Sequence, residues 1–180
     1  MQNEAYFDQS EPTRPLDAAR ARYARLGETW LEEFRVTLRK ARTNLSGRGC
    51  AQTRQIVGPW PPTTRQRLYI IAHEIGHVVL DHRRQRPAYV REFEAEQFAH
   101  ALLHREGIAV PRKQTLRAKA YVLHKIYRGL RRGRTKALDP FIADWADMSL
   151  LSVSFDCSKP SAWTRDYTES MQRVRVALGS

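Results

Sequence analysis

Apolar residues recur at three- and four-residue steps from the start of the ordered-looking part of the chain. Leu16, Ala19, Tyr23, Leu26, Trp30, Leu31, Phe34 and Leu38 fall on one helical face, which predicts a long first helix over residues 15–43. Asn44, Ser46, Gly47 and Gly49 follow and should end it. Residues 50–57 carry no proline, lie between Gly49 and Gly58, and read as a strand or short hairpin. Gly58-Pro59-Trp60-Pro61-Pro62 reads as a connector. Thr63 or Thr64 can cap a second helix reaching about His82, and Pro87 opens a third reaching about Glu106, closed by Gly107. A fourth helix is expected over residues 111–130. A fifth, capped by Asp139-Pro140, is expected to reach about Met148, and a weaker pattern runs over 161–178. The fold class expected is α+β, mainly helical, with a small sheet. Residues 1–14 read as a flexible tail, 15–150 as the main domain, and 151–180 as a C-terminal extension packed on that domain.

Composition narrows the setting. With 180 residues, 42% of them hydrophobic, the chain can bury a core. No stretch has the length of a membrane span, and the polar N-terminus lacks a signal-like apolar region. Cys50 and Cys157 alone make a disulfide framework improbable, so the expected location is cytoplasmic. The net charge of +12 favours encounters with nucleic acid or acidic partners, although much of it is arginine on helices that can be plain solvated surface. Residues 112–136 are dense in lysine and arginine and have no acidic residue. They are either the outer face of a packed helix, with Leu116, Ala120, Leu123, Ile126, Tyr127 and Leu130 inward, or a docking face for nucleic acid or an acidic protein.

The second helix carries the chemistry. His73-Glu74-Ile75-Gly76-His77 places two imidazoles at i and i+4, within about 40° of each other on one helical face, where they can grip one zinc ion. Glu74 lies about 100° around from His73, beside such an ion, where it can take a proton from an attacking water. Leu68, Ile70, Ile71, Ile75, Val78, Val79 and Leu80 make the helix apolar, so these polar groups are buried and need partners. A third ligand is required. Leu80 and Arg83 exclude the metzincin continuation, and His82, about 140° from His77, reads as a helix-end residue. The third helix offers Glu92 and Glu94, which flank the stripe Ala95, Phe98, Ala99, Leu102 and Leu103 on opposite sides. Glu96 lies further from it, and periodicity does not choose between the first two. Glu92 with Glu96 can equally be an exposed i,i+4 pair. His100 and His104 form another i,i+4 pair, read as surface histidines, and no second Glu-x-x-His exists for a di-iron bundle.

The chain resembles the ImmA/IrrE family of bacterial metallopeptidases. The resemblance lies in Ala72-His73-Glu74-Ile75-Gly76-His77 and in residues 92–103, Glu-Phe-Glu-Ala-Glu-Gln-Phe-Ala-His-Ala-Leu-Leu, and covers about residues 56–111. It implies a zincin-like fold, with a small sheet packed on the His-Glu-x-x-His helix. It further implies zinc held by His73, His77 and Glu94, with Glu74 as the catalytic base, and cleavage of helix-turn-helix repressors of phages, mobile elements or stress loci. Glu96 and His104 depart from the residues common at those positions. Two other readings stand beside the endopeptidase: a non-catalytic DNA- or protein-binding module with a structural or vestigial metal, and a zinc hydrolase acting on something other than protein. Tyr121, His124 and Tyr127 are the candidates for an oxyanion-stabilising donor, and the segment 50–57 is a candidate edge strand for receiving a peptide.

Overall fold

The computed structural model describes residues 15–82, 86–133, 138–147, 172–174 and 176–179. Five helices and three strands follow in the order α1 (Pro15–Glu33), β1 (Thr37–Arg42), β2 (Arg48–Cys50), β3 (Gln55–Pro59), α2 (Arg65–Val79), α3 (Ala88–Arg105), α4 (Arg112–Arg131) and α5 (Pro140–Trp145). The fold is α+β and mainly helical. Its sheet has the order β1-β3-β2, with β1 parallel and β2 antiparallel to β3. β2 and β3 pack against α2, which in turn packs most closely on α3.

The long first helix is shorter than its periodicity predicts. It stops at Glu33, and Arg35 takes a left-handed φ of 50° that a continuing helix does not allow. From Phe34 onward the inward residues alternate instead: Phe34 and Val36 are buried and Leu38 is half-buried. That period of two belongs to a strand, and β-branched Val36 and Thr37 favour it. The segment read as strand or hairpin is a hairpin, β2 and β3 joined by the turn at residues 51–54. β3 also takes in Gly58 and Pro59 from the expected connector. Pro59 is tolerated at the last position of the strand, where its missing N–H breaks no interior ladder bond.

α2 is capped as expected. The Thr64 hydroxyl accepts from the Arg67 amide at 3.2 Å. Asp139 likewise caps α5, accepting from the Phe141 and Ile142 amides. α4 buries Ala118, Val122, Leu123 and Ile126, while Leu116 is 55% exposed, so the inward stripe is rotated from the one expected. The main core joins Trp30, Phe34, Val36 and Ile56 to the apolar face of α2 and to Phe98, Ala99, Leu102 and Leu103 of α3. A second cluster fastens α4 and α5 to Tyr89, Val90 and Phe93. Val174, Ala177 and Leu178 reach the main core. Of the helix expected over 161–178, residues 172–174 and 176–178 are helical; its remainder and the expected tail at 1–14 lie outside the described residues.

α2 and α3 meet where Gly76 faces Phe98. A Cβ on Gly76 would lie 3.1 to 3.2 Å from the Phe98 side chain, so the glycine allows a closer approach than alanine would. Phe98 is fully buried and edge-on to Phe34, with ring centroids 5.4 Å apart. Phe98→Ala should therefore lower the unfolding free energy by about 3–5 kcal/mol, measured by denaturant titration.

Candidate metal centre

The close approach of α2 and α3 brings two i,i+4 pairs face to face. His73 and His77 project from α2, Glu92 and Glu96 from α3. His73 meets both glutamates and His77, one turn further on, meets Glu92, so the helices run in opposite directions. Glu92 Oε2 lies 3.5 Å from His73 Nε2 and 3.3 Å from His77 Nε2, and the two Nε2 atoms are 3.1 Å apart. Ligand atoms about 2.0–2.2 Å from one tetrahedral zinc ion stand roughly 3.3 Å from each other. The three observed separations form a triangle of that size, and His73, His77 and Glu92 are the one group among the described residues able to hold a metal ion in this way. His100 and His104 do not make a second. The His100 ring packs edge-on to Tyr69, and His104 is exposed.

Glu94 does not join this group. It is two residues, about 200°, around the helix from Glu92. Its Oε2 lies 2.7 Å from His82 Nε2 and its Oε1 2.7 Å from Arg86 Nη1, and His82 in turn meets His77 at Nδ1, the ring nitrogen that does not face Glu92. Glu94, expected as the third ligand, is not brought to the two histidines; Glu92 is the glutamate whose carboxylate lies within ligand-to-ligand distance of both. The alternative, an exposed i,i+4 pair of Glu92 and Glu96, does not hold either. Glu96 is 5% exposed, Oε1 lies 3.3 Å from His73 Nδ1, and Oε2 accepts from the Tyr69 hydroxyl. The i,i+4 spacing of Glu92 and Glu96, matching that of His73 and His77, was the available signal.

Other parts of the site had no motif to announce them. Lys125 Nζ of α4 lies 3.3 Å from Glu92 Oε1, which leaves Oε2 towards the histidines. His82 Nδ1 lies 2.7 Å from His77 Nδ1. Gly47 and Gly49 lie against α2: a Cβ on Gly47 would collide with the Glu74 carboxyl group, and one on Gly49 would come within 2.9 Å of His77 Cβ. These contacts open a cleft of about 700 Å³ bounded by residues 47–52, His73, Glu74, His77, Glu92 and Tyr121. Tyr121 borders this cleft and its neighbour; His124 and Tyr127 border neither.

Electrostatics prepare the groups for a cation. Burial pushes the His77 imidazole down to about 4, so it is neutral with a lone pair to offer. Burial also opposes a charge on His73, but Glu96 and Glu92 outweigh it and hold its proton well above the ordinary histidine range. Burial likewise opposes a charge on Glu92, yet His73 and His77 keep its carboxyl far below the usual carboxylate range. A metal entering the triangle must therefore displace the proton of His73. Glu74 is 6% exposed, and its Oε2 is buried with no hydrogen-bond partner among the described residues. Such an orphaned oxygen beside the triangle fits a site completed by a metal and its water.

Burial raises the Glu74 carboxyl to about 7, with His73 pulling it down and Glu92 pushing it up. Its ordinary value is 4.5. Ionisation thus costs the metal-free fold nothing below the lower value, increasingly more between the two, and roughly 3 kcal/mol above the upper one. Glu74→Gln should stabilise the metal-free protein at pH 8 by up to that amount and by under about 1 kcal/mol at pH 5. Thermal unfolding at the two pH values measures the difference.

Residues 57–125 match the family described as Peptidase_M78, IrrE N-terminal-like domain. No curated protein and no solved structure matches the chain. The matched segment contains His73, Glu74, His77, His82, Glu92, Glu94, Tyr121 and Lys125. Over residues 57–125 the chain is similar to that peptidase family, in keeping with the resemblance to the ImmA/IrrE metallopeptidases, and the match supports a metallopeptidase-type domain.

Proposed function

We propose that this protein is a zinc-dependent endopeptidase in which His73, His77 and Glu92 hold the metal and Glu74 is the general base. The observation that carries the reading is the triangle of His73 Nε2, His77 Nε2 and Glu92 Oε2, with edges of 3.1–3.5 Å, beside the unpartnered Glu74 Oε2. Zinc bound there would acidify a water and polarise a peptide carbonyl. Glu74 takes the proton of the attacking water, and its raised carboxyl is matched to proton transfer near neutral pH. Lys125 holds Glu92 in place through its outer oxygen. Tyr121, alone among the three expected donors in bordering the cleft, is the proposed donor to the carbonyl oxygen as it gains charge. A structural metal would need ligands but no base, and the buried Glu74, whose Oε2 has no hydrogen-bond partner among the described residues, favours catalysis over that alternative.

The substrate is a protein chain. Among the described residues β2 is an edge strand, because the sheet order pairs it only with β3, and Arg48, Gly49 and Cys50 border the cleft. An extended segment of substrate can pair with it; of the segment 50–57 only Cys50 belongs to this edge strand, since residues 55–57 lie in the central strand β3. The resemblance to the ImmA/IrrE family points to a helix-turn-helix transcriptional repressor of a phage, mobile element or stress locus as substrate. Exposed Arg112, Lys113, Arg117, Arg128 and Arg131 on α4 suit contact with nucleic acid on which such a repressor sits; residues 134–136 of the expected basic face lie outside the described residues. No helix among the described residues is long and apolar enough to cross a membrane, which accords with the cytoplasmic site of action proposed here. Residues 15–150 are assigned as one catalytic domain with the C-terminal extension packed on it, supported by Val174 in the main core.

The test incubates the zinc-loaded protein with the helix-turn-helix repressor encoded beside its gene. Wild type should cleave it; Glu74→Gln should keep about one zinc per chain and lose cleavage. Full cleavage by that variant contradicts the assignment of Glu74. Tyr121→Phe should retain zinc and KM while kcat falls about 10²-fold, the loss expected for one oxyanion donor.

A further inference from the structure

We propose that His82 and Glu94 form a positioning relay behind His77, which fixes the tautomer of that ring and aims a bare Nε2 at the metal position. The inference rests on His77 being a ligand, as argued above. His77 Nδ1 and His82 Nδ1 are 2.7 Å apart, and His82 Nε2 and Glu94 Oε2 are 2.7 Å apart. The His82 and Glu94 side chains are 1% and 0% exposed, so water does not substitute for these contacts.

Local backbone geometry puts the ring there. α2 ends at Val79, Asp81 turns left-handed with φ 50°, and the His82 amide donates to the His77 carbonyl at 3.1 Å. This is a helix-closing turn of the Schellman type, which folds the residue after the left-handed position back onto the last helical turn. A continued helix would have carried His82 about 140° away from His77.

The proton order follows from the donor inventory. An ionised carboxylate only accepts, so His82 Nε2 must carry the hydrogen that faces Glu94. Glu94 already faces Arg86 Nη1 at 2.7 Å and Arg173 Nε at 3.8 Å, so two guanidinium groups meet its carboxylate and no charge on His82 is required as its counter-ion. A neutral His82 then has a lone pair at Nδ1, which can only accept from His77 Nδ1–H. The Nε2 of His77 is left unprotonated, the form a metal requires. His73 is oriented by a shorter route, through Glu96 at its Nδ1. Glu94 therefore acts on the metal centre through two imidazoles rather than as a ligand.

Two measurements decide this. In ¹⁵N-labelled, metal-free wild type, two-bond proton–nitrogen correlations should show His77 protonated at Nδ1 and bare at Nε2; the opposite tautomer overturns the relay without any variant being made. Competition with a chromophoric chelator should show zinc affinity about 10–100-fold weaker in His82→Phe, which keeps ring bulk but neither nitrogen, and partly restored in His82→Gln, which can accept from His77 and donate to Glu94. Wild-type affinity in folded His82→Phe overturns the relay. A wild type with the expected tautomer but no zinc uptake instead contradicts the ligand assignment on which the relay rests.

Discussion

The close contact between α2 and α3 is the constraint on which the rest depends. Gly76 lets Phe98 come within van der Waals reach of the α2 backbone, and that distance sets how far the side chains beside it must span. Two antiparallel helices at this spacing present an i,i+4 histidine pair to an i,i+4 glutamate pair, so three ligand atoms converge without long or flexible connections. The sheet plays the opposite role. Gly49 of β2 and Gly47 just before it lie against the same helix and leave a cleft beside Glu74 instead of filling it.

Burying this many charges is costly, and the arrangement shows how the cost is met. Glu74, Glu94 and Glu96 are among the buried charged residues, and Glu92 is nearly so. An isolated buried carboxylate is destabilising by several kcal/mol, whereas one that is paired and hydrogen-bonded is tolerated. Lys125 meets Glu92, Arg86 and Arg173 meet Glu94, and His73 with Tyr69 meets Glu96. Glu74 is the exception. His73 and the Gly49 amide favour its charge, but its Oε2 is buried with no hydrogen-bond partner among the described residues. Leaving one carboxylate incompletely satisfied raises its proton affinity into the range a general base needs. The pairing of the other three holds their charge, which is what metal ligation and its support require.

The local pattern revealed α2 almost entirely: its cap, its apolar face, and the pair His73 and His77 with Glu74 between them. α3, α4 and α5 were legible to within a few residues. The first helix was overextended because Phe34 and Leu38 fit a period of 3.6 as well as a period of two; the left-handed Arg35 that separates the regimes has no sequence signature of its own. The third ligand is open between Glu92 and Glu94 on periodicity, and only the resemblance favours Glu94. Choosing between residues 92 and 94 depends on which side of α3 faces α2, a tertiary fact. His82 was hidden for a related reason: helical phase was extended past the residue where the helix ends. Lys125 reaches the site from α4, more than thirty positions along the chain from Glu92, and no local spacing can announce such a partner.

The most direct measurement is an anomalous diffraction map at the zinc edge from crystals of the zinc-loaded protein. The account predicts one peak, about 2.0–2.2 Å from His73 Nε2, His77 Nε2 and a Glu92 carboxylate oxygen, with Glu94 still against His82. A peak ligated by Glu94, or no peak between the two histidines, would contradict it.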